Sequence, residues 1–239
     1  MKLDLLVMTV HPDDAELGAG GLIAKYVDQS RKVGIIDLTQ GELGTRGTAE
    51  IRLEEARRAA EILGVSVREN LGLRDGFFEN NEANQLPVIR AIRKYRPEIV
   101  VTNALEDRHP DHGRASRLVN DSLFLAGLRR ITTKLDGEDQ EAFRPRLQLQ
   151  LIQDQYIQPD ILVDITDYWD VKERSVLAYT SQFNVVTEDD QPRTYISNPE
   201  FIASTRARAQ ELGRSIQVKY AEGFTSRKLL GVKDIFELY

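Results

Sequence analysis

The chain has 239 residues, 41% hydrophobic and 29% charged, enough apolar mass for one sizeable core in a globular protein. A net charge of −6 gives no basic face for a nucleic-acid backbone, and no apolar run approaches the ~20 residues that span a bilayer. Without cysteine there are no disulfides, thiolate metal sites or thiol nucleophiles; with no leader pattern at the start, the cytoplasm is the expected compartment.

Residues 3–10 form a continuous apolar run that stops at His11 and predicts a buried strand. Residues 15–29 carry Leu17, Leu22, Ile23, Tyr26 and Val27 at helical spacing. Residues 32–39 read as a second buried strand. A glycine-rich polar loop, 40–47, then leads to a helix over 48–63, with Leu53, Ala56, Ala60 and Leu63 on one face. A third strand is expected over 66–73, an amphipathic helix over 84–95 ending before Pro97, a fourth strand over 98–102 and a helix over 112–128. Residues 129–146 are highly charged and read as a loop or excursion, in the role of a lid or an oligomer contact. Further strands are expected over 147–152 and 161–165, helices over 168–179 and 200–213, and a polar loop over 185–199. No repeat, low-complexity tract or linker breaks the pattern, so one domain over residues 1–239 is expected.

Strands alternating with helices of this length require parallel pairing and right-handed crossovers. The expected fold is therefore α/β, a Rossmann-like doubly wound sheet, mostly parallel, with the active site at the carboxyl ends of the strands. All three histidines fall at such ends, in His11-Pro12-Asp13-Asp14 after the first strand and Glu106-Asp107-Arg108-His109-Pro110-Asp111-His112 after the fourth.

Imidazole nitrogen and carboxylate oxygen together suit a Zn²⁺ site with one position open for water, and His11, Asp14 and His112 supply three ligands. The same donors suit non-haem Fe²⁺, so ligand type leaves the metal open. Taken singly, each motif also reads as structural, with Asp13, Asp14 or Asp111 capping the helix that follows. The two together favour a shared site. A dinucleotide fingerprint fails because Gly18 and Gly20 are followed by Ile23 where a glycine is required, and Asp13, Asp14 and Glu16 would repel a pyrophosphate. Those glycines, with Gly21, are expected to permit close helix–sheet packing. A serine triad lacks its G-x-S-x-G elbow.

At these residues the chain resembles the LmbE/PIG-L family of zinc-dependent N-deacetylases, with their H-P-D-D and later H-x-x-H motifs. The likeness runs from the first strand through Tyr220-Ala221-Glu222-Gly223-Phe224. The extended motifs are most similar to the bacillithiol-biosynthesis branch, whose members remove acetate from N-acetylglucosaminyl-malate. The resemblance implies that His11, Asp14 and His112 hold the metal and that a metal-activated water attacks the amide with Asp13 as general base. It places His109 near the reacting carbonyl, with Asp111 orienting it. Adjacent carboxylates do not both reach one ion easily from a turn, which accords with one ligating and the other acting on the water.

On the substrate side, Arg52 opposes the macrodipole near its helix's N-terminus, a mild conflict pointing to another role. The family resemblance gives it the anionic or sugar portion of the substrate. Asp75 and Glu42 follow the third and second strands and are candidates for sugar hydroxyls. Arg144 or Arg146 is a candidate second cation for malate. Tyr179, Ser181, Gln182, Phe183 and Glu222 match family positions, with packing as their expected role. The implied partner is a small N-acetyl amino-sugar conjugate, and the implied assembly a homo-oligomer such as a hexamer. Chitobiose-like sugars and the mycothiol precursor stand as alternative substrates, and a non-catalytic sugar- or metal-binding module as the alternative class.

Overall fold

The computed structural model describes residues 1–183 and 191–238. Its first half runs β1 (Leu5–Thr9), α1 (Asp14–Asp28), β2 (Val33–Thr39), α2 (Ala49–Leu63), β3 (Val67–Leu73), α3 (Glu82–Tyr95), β4 (Ile99–Thr102) and α4 (Pro110–Ala126). A short hairpin, β5 (Lys134–Leu135) and β6 (Glu138–Asp139), follows. The remainder is β7 (Leu147–Leu151), β8 (Ile161–Asp164), α5 (Trp169–Leu177), α6 (Pro199–Ser215) and β9 (Ala221–Thr225).

Seven strands make one sheet in the order β3-β2-β1-β4-β7-β9-β8. The first five are parallel, and β9 enters antiparallel between β7 and β8. The order reverses between β1 and β4, which is where a doubly wound sheet opens a crevice at its strand ends. Alternation along β1 sets the layers: Leu6 and Met8 pack with α3 and α4, while Leu5 and Val7 pack with α1. The apolar runs predicted as strands are thus covered on both faces.

Residues 18 and 21 have to be glycine for α1 to lie this close to its neighbours. A Cβ at Gly18 would come within 2.6 Å of the Leu151 side chain, and one at Gly21 within 2.7 Å of Ile165. A buried ion pair fixes the same helix. Glu222 on β9 accepts from the amides of Gly21 (2.9 Å) and Leu22 (2.7 Å), and Lys172 Nζ donates to Glu222 Oε1 (2.6 Å) and the Leu17 carbonyl (2.8 Å). Glu222 is therefore a brace for α1, a role that packing alone did not anticipate.

Strand β9 itself escaped the sequence reading, because Ala-Glu-Gly-Phe-Thr has neither an apolar run nor alternation. The charged excursion 129–146 folds down beside α3 and α4. Arg93 gathers the carbonyls of Ala126, Leu128 and Ile131 and the Thr133 hydroxyl, and Phe143 packs on the core. Of the expected polar loop 185–199, residues 185–190 lie outside the described residues. No helix among the described residues is long and apolar enough to cross a membrane.

Candidate active site

The crevice at the switch point opens into a cavity of about 580 Å³, lined at one end by His11, Asp13, Asp14, His109, Asp111 and His112. Both motifs arrive there for the same reason: each occupies the turn that follows a strand of the β1–β4 pair. His109 caps α4, its Nδ1 accepting from the amide of Asp111 at 3.3 Å. The three imidazole rings lie 4.8–5.8 Å apart, centroid to centroid.

Asp13 and Asp14 are adjacent and both buried, yet they meet different partners. Asp13 sits at the start of α1 with φ of 116°, a conformation that costs a non-glycine residue about 1–3 kcal/mol. Its Oδ2 accepts from Arg52 at 2.9 Å, and Arg52 also donates to the Pro12 carbonyl at 2.6 Å. Burial pushes Asp13 up to about 7, against the opposing pull of Arg52. Asp14 is held by a polar ring instead. Its Oδ2 accepts from the His11 amide and from Asn103, both at 3.0 Å. Its Oδ1 accepts from Gln153 at 2.8 Å and lies 3.2 Å from His112 Nε2. Burial opposes the charge on Asp14, but His112 and His11 outweigh it and hold the carboxyl well below the ordinary carboxylate range.

Each of His11 and His112 has one nitrogen on a carboxylate and the other toward Asp14. His11 Nε2 is 3.0 Å from Asp75 Oδ1, while its Nδ1 is 3.7 Å from Asp14 Oδ2. His112 Nδ1 is 2.5 Å from Asp107 Oδ2, leaving Nε2 beside Asp14. Burial disfavours a proton on either ring, but the surrounding carboxylates prevail. Asp111, Asp75 and Asp14 raise His11 to about 9, and Asp14 and Asp107 raise His112 to about 10. A site that draws protons this strongly draws a metal cation for the same electrostatic reason, in exchange for those protons. His109 is the opposite case, lowered by burial and by the neighbouring rings of His11 and His112, so it stays neutral. With Nδ1 accepting, its proton lies on Nε2.

Two sets of donors besides His11, Asp14 and His112 converge here: His11 with His109 and His112, and His11 with Asp75 and Asp111. The second set shares His11 Nε2, which lies at hydrogen-bond distance from Asp75 and thereby carries the proton. The free lone pair of His11 is on Nδ1, the Asp14 side. Two imidazoles and a fully hydrogen-bonded carboxylate on that side fit a divalent cation.

The substrate-side expectations fare differently. Arg52 lines the cavity but its guanidinium is bound to Asp13 and Pro12. Asp75 lines it too, with Oδ1 on His11 and Oδ2 accepting from the Leu43 amide at 3.1 Å. Glu42 is exposed outside the cavity and accepts from the Asp75 amide at 2.8 Å, steadying that turn. The Asp111 carboxylate does not itself bond His109. It accepts from the Gly76 amide and from Arg114, at 2.9 and 2.7 Å, because the His109 bond is made by the Asp111 backbone. Neither candidate in the excursion reaches the cavity: Arg144 donates to the Phe124 carbonyl, and Arg146 lies beside Glu98. The arginines that line it are Arg52, Arg108 and Arg208. The excursion is no lid over this cavity, since its residues do not border it. Of the family positions, Gln182 and Glu222 line the cavity. Tyr179 packs with Phe183 and bonds Glu16, and Ser181 bonds Glu55.

Three supporting residues escaped the sequence reading, Asn103, Asp107 and Gln153. A signal existed for each: a polar residue one or two places past the end of a buried strand, or an acid just ahead of a histidine pair.

Fold and site define a doubly wound α/β protein with a candidate metal centre at its switch point. The chain belongs to the PIG-L/LmbE family, whose model, described as GlcNAc-PI de-N-acetylase, matches residues 6–123. Diacetylchitobiose deacetylase of Thermococcus kodakarensis is 33% identical over 190 residues, covering 75% of this chain and 70% of the relative. A 4-oxalmesaconate hydratase of Pseudomonas putida is 28% identical over 193 residues, covering 74% and 73%. A probable N-acetyl-alpha-D-glucosaminyl L-malate deacetylase of Bacillus cereus is 26% identical over 204 residues, covering 79% and 88%. Among solved structures, the conserved protein TT1542 from Thermus thermophilus superposes with a TM-score of 0.84 at 38% identity, covering 97% of this chain and 98% of that one.

Proposed function

We propose that this protein is a metal-dependent hydrolase that removes the acetyl group from a small N-acetylglucosaminyl conjugate in the cytoplasm, with N-acetylglucosaminyl-malate as the substrate to try before others. The observation that carries the reading is the unequal treatment of two adjacent carboxylates. Asp14 is kept ionised among His11, His112, Asn103 and Gln153, as a ligand must be. Asp13 is left outside that ring, with its pKa near 7, as suits a general base.

His11, Asp14 and His112 hold the cation, Zn²⁺ in preference and Fe²⁺ as the alternative. Its chemistry is that of a Lewis acid, polarising the acetamide carbonyl and making water nucleophilic near neutral pH. Asp13 takes a proton from the attacking water. Water oxygen bonds to the carbonyl carbon, the C–N bond breaks, and the amine leaves with the proton that Asp13 received. His109 donates from Nε2 to the oxygen on which charge develops, which its neutral tautomer allows. Arg52, bound to Asp13, holds the base in its strained turn.

Acetate release from N-acetylglucosaminyl-malate, diacetylchitobiose and the mycothiol precursor tests this, on protein stripped of metal and reloaded with Zn²⁺ or anaerobic Fe²⁺. Metal-dependent release is expected, fastest with the malate conjugate. Preference for another sugar would remove the malate assignment alone. No acetate from any of the three would remove the deacetylase reading and bring forward water addition, the reaction in the hydratase relative's name.

A further inference from the structure

We propose that Asp107 is a positioning residue that presents His112 to the metal, an inference that rests on His11, Asp14 and His112 being the ligands. Asp107 leaves no oxygen idle. Its Oδ2 is 2.5 Å from His112 Nδ1, and its Oδ1 accepts from the Gln155 amide at 2.6 Å. The carboxylate therefore ties the turn before α4 to the chain leaving β7, and its side chain has no exposed surface. Holding the His112 proton on Nδ1 fixes the lone pair on Nε2, the atom 3.2 Å from Asp14 Oδ1. Without Asp107 the imidazole can take the other tautomer, whose Nε2 has a proton where a ligand needs a lone pair. The negative charge also strengthens the imidazole as a donor.

Asp75 stands in the same relation to His11, at 3.0 Å from Nε2, but with one difference that makes the inference testable. Asp75 borders the cavity and Asp107 does not. Changing Asp107 should weaken metal binding without touching substrate, whereas changing Asp75 disturbs both.

The experiment is a Zn²⁺ titration of the metal-stripped full-length protein against a chromogenic chelator, for wild type, Asp107→Asn and Asp107→Leu. Asn keeps the shape and an acceptor but loses the charge; Leu loses both. Affinity should fall in the order wild type, Asn, Leu, with a loss of ~10–100-fold for Leu. With Zn²⁺ saturating, KM for the N-acetyl sugar should stay at the wild-type value in Asp107→Asn and rise in Asp75→Asn. Zn²⁺ affinity at the wild-type level in the folded variants overturns the proposal, and Asp107→Asn decides it if Asp107→Leu does not fold. A wild type that takes up no Zn²⁺ overturns the ligand assignment beneath it, a result visible before any variant is made.

Discussion

The β1–β4 pair at the centre of the sheet and its β7-β9-β8 side contribute different things to one site. Strands β1 and β4, with the turns behind them, bring the groups proposed to hold the metal and carry out the reaction: His11, Asp13, Asp14, His109 and His112. The edge built from β7, β8 and β9 brings groups that hold those atoms still. Gln153, just past β7, bonds Asp14, and Glu222 on β9 bonds the middle of α1. Chemistry and rigidity are thus encoded in separate stretches of chain and should be separable by mutation.

Asp13→Asn strikes the first region hardest. Asparagine tolerates the positive φ at this position, so the fold and Zn²⁺ content should stay intact while kcat falls by ~10²–10⁴-fold. Loss of Zn²⁺ in that variant would instead make Asp13 a ligand. Glu222→Gln strikes the second region, leaving Lys172 buried without its counter-charge. A loss of about 3–5 kcal/mol in denaturant unfolding is expected. Gln153→Ala lies on the join, so metal affinity and activity should fall together, by ~10–100-fold, with little change in thermal stability of the metal-free form. A drop in stability alone would assign Gln153 to the scaffold.

A further effect is one of pH. His11 and His112 bind protons more tightly folded than unfolded, at about 9 and 10 against 6.5. Their contribution to stability is complete below pH 6.5 and disappears as pH climbs through 9 to 10. The melting temperature of metal-stripped protein should therefore decline over that window. Zn²⁺-loaded protein, whose imidazoles are already deprotonated, should decline less, and parallel curves would argue that neither ring binds the ion.

The same division explains what could be read from the sequence. Strands β1, β2 and β4 and the helices through residue 128 follow from apolar runs and helical faces, and the two acidic histidine motifs stand out against a chain with no other histidine. Partners were harder to read than positions. Arg52 stood out as a cation in conflict with its helix, but its bond to Asp13 depends on how α2 crosses the β1 turn, which no local pattern records. Asp75 was legible as a residue near the site but not as the partner of His11. Strand β9 lacks a run of its own and exists because β7 and β8 leave it a place. Gln153 shows in the sequence only as a polar residue two places past β7, and its bond to Asp14 appears once β7 is set beside β4.

The ion pair between Lys172 and Glu222 also bears on the order in which the protein is made. Helix α1 leaves the ribosome some 200 residues ahead of the β9 carboxylate that engages its Gly21 and Leu22 amides. Contacts of such sequence separation close late, after the cost of a long loop has been met. The middle of α1 is thus braced only when β9 takes its place between β7 and β8. A nascent chain that has not yet added β9 should carry both histidine motifs on a sheet whose helix α1 is still unbraced.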